Sequence, residues 1–443
     1  MANLVGVNLI FKKDCILLLW IVYVIFLFPF FSKFAVVNDI SFFDYIEEVF
    51  VILLLPYSIR GAAKVWRENV WAKATIVLFI LYIVAGLLGN LSTNVSLLAG
   101  GLQIFLGSKL ILAFFAFLGA YDGDWLIKRI LFLFKILLVF SFLHLVFQFI
   151  FPKQYDLLFD ALHQRALFTI PGISDQIPRA VGAFQVAGDL SYFSAMYLAY
   201  AFSQKYIEKR KVGGLWVVLS VILLIATFSR QEIASFVVIV SLLYLVYKKQ
   251  VFVGQKLLVV SSFMGVILVV TFASISSIGS YFSYVSTSMK LDDVEASRAA
   301  RVVFYVKGIE IANDNFPLGV GHGGFGGAAA RIFDSPVYAQ YGVTDYSFYQ
   351  ENGALTDTFW PHVIAESGWL GFLLYLFYLG CLLMFVKNIR STNSTEVFRV
   401  VTLAGITYLI MNSPTSASML SSFAQIMCLC FVTGLSTKRR TRN

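Results

Sequence analysis

The chain has 443 residues, 59% hydrophobic and 13% charged, with a formal net charge of +9 and a mean hydropathy of +0.80. That balance lies far above a soluble globular average and describes an integral membrane protein. Nucleic-acid binding is excluded as the reason for the positive charge, which reports membrane topology together with some attraction to anionic membrane lipids.

A bilayer core of about 30 Å requires roughly 20 apolar residues per helix. About twelve such runs follow one another: Cys15 to Phe34, Ile40 to Ile59, Ala74 to Leu91, Leu97 to Leu118, Ile130 to Phe151, Gly188 to Gln204, Leu215 to Phe228, Ile233 to Tyr247, Leu257 to Ile275, Val363 to Phe385, Val400 to Met411 and Ala417 to Leu435. Barrel strands would be shorter and alternating, so the expected fold is an all-α polytopic bundle forming one domain over residues 1–443. The first run is long and lacks a small-residue cleavage pattern, and reads as a span and not a signal peptide.

Lys12 and Lys13, the stretch Arg60 to Lys73, Lys205 to Lys211, Lys248 to Lys256, Lys387 to Arg399, and Lys438 to Arg442 all fall on one side of twelve spans. Basic loops are retained in the cytoplasm, so both termini are predicted there. Cys15, Cys381, Cys428 and Cys430 have no metal-ligand spacing and suggest neither a disulfide nor a metal site.

In the second run, Asp44, Glu47 and Glu48 share a helical face, and Lys109 lies within the fourth. Ionisable groups at such depth face the bundle or water. The carboxylates either cap the outer end or pair with a basic neighbour; Lys109 meets either a lipid phosphate or one of them. The first outer loop, 152–187, shows helical spacing at Tyr155, Leu158, Phe159, Leu162 and Ala166, which predicts a helix lying in the interface. At its end Pro178 and Gly182 bracket Arg179, whose planar fork suits phosphate oxygens at the outer mouth. Arg230 stands in the four-residue turn between the seventh and eighth runs and needs a counter-charge, either Glu232 or a substrate diphosphate.

The large outer loop, 276–362, lies between the ninth and tenth helices. Arg298, Arg301 and Tyr305 fall on one helical face. The run Gly319 to Gly327, with Gly321 and His322, reads either as a flexible linker or as a backbone nest for an anion. It lacks the Lys and Ser/Thr of a phosphate-binding Walker loop. Asp357, His362 and Glu366 precede Gly368 and Gly371 at the return to the membrane, and each is a candidate to take a proton from a sugar hydroxyl or to cap the helix. Tyr338, Tyr341, Tyr346, Tyr349 and Trp360 either stack on sugar rings or pack the loop.

Taken together, R-x-x-G-x-F at Arg179 to Phe184, F-S-R at Phe228 to Arg230, Arg301 followed by P-L-G-V-G-x-G-x-F at Pro317 to Phe325, and E-S-G-W-L-G-F at Glu366 to Phe372 resemble the O-antigen polymerase (Wzy-type) and O-antigen ligase superfamily. The resemblance covers roughly Arg179 to Leu376. It implies a GT-C-like, metal-independent, inverting glycosyltransferase without cofactor, in the bacterial inner membrane with its site on the periplasmic face. It implies an undecaprenyl-diphosphate-linked oligosaccharide as donor and acceptor, with a chain-length regulator as a possible partner. Arg179, Arg230, Arg298 and Arg301, with Tyr305, Gly321 and His322, would bind the diphosphate; Asp357, then His362, then Glu366 would serve as base. Ligases resemble one another in a histidine eleven residues before the first glycine of the closing motif. That position is Asp357 here, which favours a polymerase over a ligase. A lipid-linked sugar flippase would require inverted repeats, which the sequence lacks.

Overall fold

The computed structural model describes residues 14–27, 46–159, 167–170, 174–184, 186–210, 213–247, 293–346, 349, 358–389 and 393–436. Among these residues the architecture is an all-α membrane bundle, and five helices are long and apolar enough to cross a membrane. They are α2 (Ile46–Trp66), α3 (Val70–Ser92), α4 (Leu97–Leu118), α5 (Gly123–Ile150) and α13 (Trp360–Asn388). Before them lies α1 (Asp14–Ile25). The expected span Leu257 to Ile275 and Asp44 lie outside the described residues.

Helix α2 is pinched at Leu54, two residues before Pro56, whose ring nitrogen cannot donate to the preceding turn. Asn69 caps α3 by accepting from the Trp71 and Ala72 amides at 2.9 and 3.3 Å. Asp122 caps α5 through the Trp125 amide at 3.0 Å.

The first outer loop begins within the stretch expected to be helical. A short α6 (Pro152–Phe159) is followed by an antiparallel hairpin, β1 (Leu167–Ile170) and β2 (Ser174–Pro178). Leu162 and Ala166 of the helical pattern fall outside the described residues. Beyond the hairpin come α7 (Ala187–Ser203), α8 (Gly214–Ala226), α9 (Arg230–Tyr247) and α10 (Asp293–Asp314). Two single-turn helices, α11 (Ala328–Ile332) and α12 (Pro336–Gln340), precede α13; α14 (Asn393–Asn412) and α15 (Ser422–Leu429) close the fold, with a 3-10 turn at Cys430–Leu435.

Two expected spans lie in the centre of the bundle. Along α7 nearly every residue is buried, and every residue from Ser422 to Leu429 is buried. At 1.5 Å per residue, Ser422–Leu435 extends only about 20 Å. These pieces are apolar because other helices surround them, not because lipid does.

The bundle has two distinct ends. At one end Arg60 stacks over the Tyr121 ring at 3.3 Å, Asp14 accepts from the Tyr121 and Asp122 amides at 3.0 and 2.6 Å, and Lys64 donates to the Ser436 carbonyl at 3.4 Å. Several of the basic loops therefore gather together. At the other end, Asn90 and Thr93 of the α3 terminus donate to the carbonyls of His322 and Val320 at 2.8 and 2.7 Å.

Lys109 meets carboxylates of its own chain. Its ammonium lies 2.6 Å from Glu47 and 3.1 Å from Glu48, and Ser422 donates to Glu47 as well. Lys109 is 5% exposed, so the ion pair is what makes its burial tolerable.

The most consequential local feature is the break in α13 at Gly368, where φ is +62° and ψ is −170°. A side chain there would strike the Pro317 carbonyl and the Gly319 amide. Gly368→Ala is therefore expected to cost about 3 kcal/mol or more, read as a lowered unfolding temperature in detergent. Lys109→Met is expected to cost about 3–5 kcal/mol, because it leaves two carboxylates facing each other without their cation. Thermal unfolding should show recovery when Glu47→Gln and Glu48→Gln are added to it.

Candidate functional site

Arg179 is fixed by the turn between α8 and α9. Its Nε donates to the Thr227 carbonyl at 2.8 Å, and its Nη2 donates to Ser229 Oγ. The Ala180 amide donates to the Ala226 carbonyl at 3.0 Å, and Gln148 of α5 donates to the Arg179 carbonyl at 3.2 Å. Phe228, inside that turn, has φ of +48°, a left-handed conformation that a bulky residue holds only when its surroundings enforce it. Arg230 follows directly as the first residue of α9. The R-x-x-G-x-F and F-S-R motifs, 48 residues apart between Arg179 and Thr227, are thus one site in space.

A second turn ties that site to α10 and α13. Gln231 donates to the carbonyls of Met411 and Asn412, both at 3.2 Å, and Ser235 donates to Asn412 Oδ1 at 3.2 Å. On the next residues, Trp360 Nε1 donates to Ser413 Oγ at 2.8 Å and the Tyr305 hydroxyl donates to the Pro414 carbonyl at 2.7 Å. Burial pushes the Tyr305 phenol up, with Arg301 pulling it back. The group stays a neutral donor, and Arg301 stands within electrostatic reach one helical turn before it. Arg298 lies one further turn along α10. A continuous path of contacts therefore runs from Arg179 through the 227–231 and 411–414 turns to Tyr305 and Arg301. Tyr305 belongs to this framework through its bond to Pro414.

The glycine run forms a backbone nest, one of its two readings. With the helix broken at Gly368, the carbonyls of Ala365 and Glu366 lose their partners four residues on. The amides of Val320 and Gly321 take them at 2.9 and 2.8 Å, while the Leu370 amide turns to the Pro317 carbonyl at 3.2 Å. The run is clasped onto α13 like a strand. Gly321 has φ of +94°, and a side chain there would run into Asn90.

Further along, the Gly323 and Phe325 amides both donate to Glu366 Oε1, at 2.9 and 3.4 Å. This is an anion nest, and its anion is a side chain of the same protein. His322 Nδ1 stands 3.6 Å from Glu366 Oε2, and the imidazole packs edge-on against Tyr82 at 5.1 Å. His362 lies beside them, edge-on to Phe359 at 4.9 Å. His322, His362 and Glu366 are at most 2% exposed. With Gln103, Tyr82 and Tyr375, the two histidines line a small cavity of about 10 Å³, room for about one water.

Several candidates therefore meet in one place. Gly321 donates its amide to the Glu366 carbonyl, and His322 packs against Tyr82 and faces Glu366 Oε2. His362 is buried beside them, and Glu366 Oε1 accepts from the nest instead of capping the helix. Asp357 lies outside the described residues. The loop aromatics form a second small core: Phe304, Phe325, Tyr338 and Tyr349 stack in sequence at 5.3, 5.6 and 5.3 Å, and Tyr338 is fully buried.

One acidic residue at the arginine site went unremarked in the sequence. Asp189, in the first turn of α7, lies within electrostatic reach of Glu232 in the first turn of α9. The signal was the placement of each at the start of an apolar run beside an arginine motif.

Residues 215–376 match the family model described as O-Antigen ligase. That match supports the resemblance to the O-antigen ligase and polymerase superfamily. No curated protein matches the chain. Members of the superfamily are glycosyltransferase-like enzymes. The matched segment contains the 227–231 turn, α10, the glycine run and the break of α13, so it takes in both the arginine site, apart from Arg179, and the clasp.

Glu366→Ala is expected to release the clasp, costing about 2–4 kcal/mol through the orphaned amides and the void. Glu366→Gln, which keeps an acceptor oxygen, should cost less. Hydrogen exchange at the Gly323 and Phe325 amides checks this directly, with the rate rising most in the alanine variant.

Proposed function

We propose that this protein is a polysaccharide polymerase of the bacterial inner membrane, acting at the periplasmic face on undecaprenyl-diphosphate-linked oligosaccharides. The growing glycan leaves its lipid carrier and is transferred to a hydroxyl of a newly arrived, lipid-linked repeat unit. Displacement at the anomeric carbon inverts its configuration and expels the lipid diphosphate.

One observation carries this reading. Arg179 is bonded to the 227–229 turn that leads into Arg230, and further bonds run through Gln231 and the 411–414 turn to Tyr305, one helical turn after Arg301, at the end of the bundle away from the Arg60–Lys73 stretch. On the positive-inside rule that end faces outward. Guanidinium groups held there suit a departing diphosphate, whose developing charge is the largest electrostatic demand of such a transfer. Arg298 extends the same helical face. Asp357, where ligases of the superfamily resemble one another in a histidine, favours polymerase over ligase. A chain-length regulator is the expected protein partner.

Purified protein given only lipid-diphosphate repeat units is expected to produce a ladder of longer lipid-linked chains. A substrate left unchanged until lipid A core is added would identify a ligase instead. Arg179→Ala, Arg230→Ala and Arg301→Ala should each slow extension by at least about 100-fold while the protein still inserts. Full activity in any two of them would remove the proposed cradle.

A further inference from the structure

The clasp and the arginine site divide the acidic residues of the outer end into two classes. Glu366 is sealed within the glycine nest, whereas Asp189 and Glu232 remain partly exposed at the arginine site. Their backbones are held firmly. Ser191, two residues after Asp189, donates to Thr227 Oγ1 at 2.9 Å, and the carbonyl of the same Thr227 accepts from Arg179. Tyr408 of α14 donates to the Glu232 carbonyl at 3.1 Å. A Cβ added to Gly188 would sit 3.5 Å from Glu232 Oε1, which places that carboxylate against the residue preceding Asp189.

A third group completes the arrangement. Tyr192, one turn after Asp189, is 4% exposed and within electrostatic reach of Glu232. Its hydroxyl stands near Ser416 and Ser418 without a hydrogen bond of good geometry. A buried hydroxyl left in this state beside a carboxylate pair and an arginine marks a place where a polar ligand group completes the bonding.

We propose that Glu232 accepts the proton of the acceptor hydroxyl, that Asp189 is its positioning partner, and that the Tyr192 hydroxyl completes the acceptor's slot. This rests on the glycosyltransferase reading above. The acceptor oxygen forms its bond to the donor's anomeric carbon, and its proton passes to the Glu232 carboxylate. The bond from that carbon to the phosphate oxygen breaks, and its electron pair leaves on the lipid diphosphate beside Arg179 and Arg230. The charge lost at Glu232 and the charge gained at the diphosphate balance. The titratable groups within electrostatic reach of Glu232 are Asp189 and Tyr192 from α7 and Tyr408 from α14.

The test uses full-length protein in lipid nanodiscs with undecaprenyl-diphosphate repeat units purified from the source cells, and measures single-turnover transfer against pH. Wild type is expected to show an acid limb, the rate rising as the carboxylate ionises. Glu232→Gln should slow transfer by at least about 100-fold and abolish that limb, while binding of undecaprenyl diphosphate alone changes less than about threefold. Glu232→Asp should restore a measurable rate with the limb present. Asp189→Asn removes the group that titrates beside Glu232, so it should displace the limb from its wild-type position. A purely structural role would leave it in place.

Glu232→Gln transferring within about threefold of wild type, with its limb intact, overturns this inference and leaves the polymerase reading standing. Loss of undecaprenyl diphosphate binding in both Glu232 variants also overturns it, by making the residue part of the binding site. Should Glu232→Gln fail to fold, an unshifted limb in Asp189→Asn decides against the pair. A wild-type protein that extends no chain and modifies no lipid A core overturns the parent reading itself.

Discussion

A helix that breaks inside an apolar bundle exposes carbonyl groups to surroundings without water, and each must find a donor or cost several kcal/mol. In this protein the break at Gly368 is matched by the Pro317 to Phe325 run, whose amides take the Ala365 and Glu366 carbonyls and then the Glu366 carboxylate. The pairing is mutual. Without the glycines the backbone cannot approach α13, and without Glu366 two amides of the run face no acceptor. The end of the α3 helix joins through Asn90 and Thr93, so three separate parts of the chain depend on that one break.

Glu366 holds two amides of the run through Oε1, and its Oε2 faces His322 Nδ1 at 3.6 Å. The work of the clasp is to orient α10 and the start of α13, from which Tyr305 and Trp360 reach the 411–414 turn. That turn in turn receives Gln231, so the position of the Arg230 turn is set from the clasp side as well as by Arg179. Rigid support of this kind is what electrostatic stabilisation of a leaving group requires, since donors that must reorganise during reaction lose most of their effect.

Ionisable groups within the bundle illustrate the same economy. Lys109 with Glu47 and Glu48 forms a closed unit. Asp189 and Glu232 lie at the first turns of two helices and are partly exposed.

Much of this was legible in the sequence. Apolar run length determines that the chain lives in a membrane as a helical bundle. The distribution of Lys and Arg separates a basic end from the rest, and short motifs mark Arg179, Arg230 and Arg301 as belonging together. These are properties of local composition and of order along the chain. Tertiary structure alone decided that Lys109 meets Glu47 and Glu48, that the glycine run closes around Glu366, and that α7 and α15 lie inside the bundle. Hydropathy cannot distinguish a helix surrounded by lipid from one surrounded by helices, because both are equally dry. The partner of a buried polar group is equally hidden, since Asn90 and His322 are 232 residues apart, and only folding brings a donor and its acceptor across such a distance.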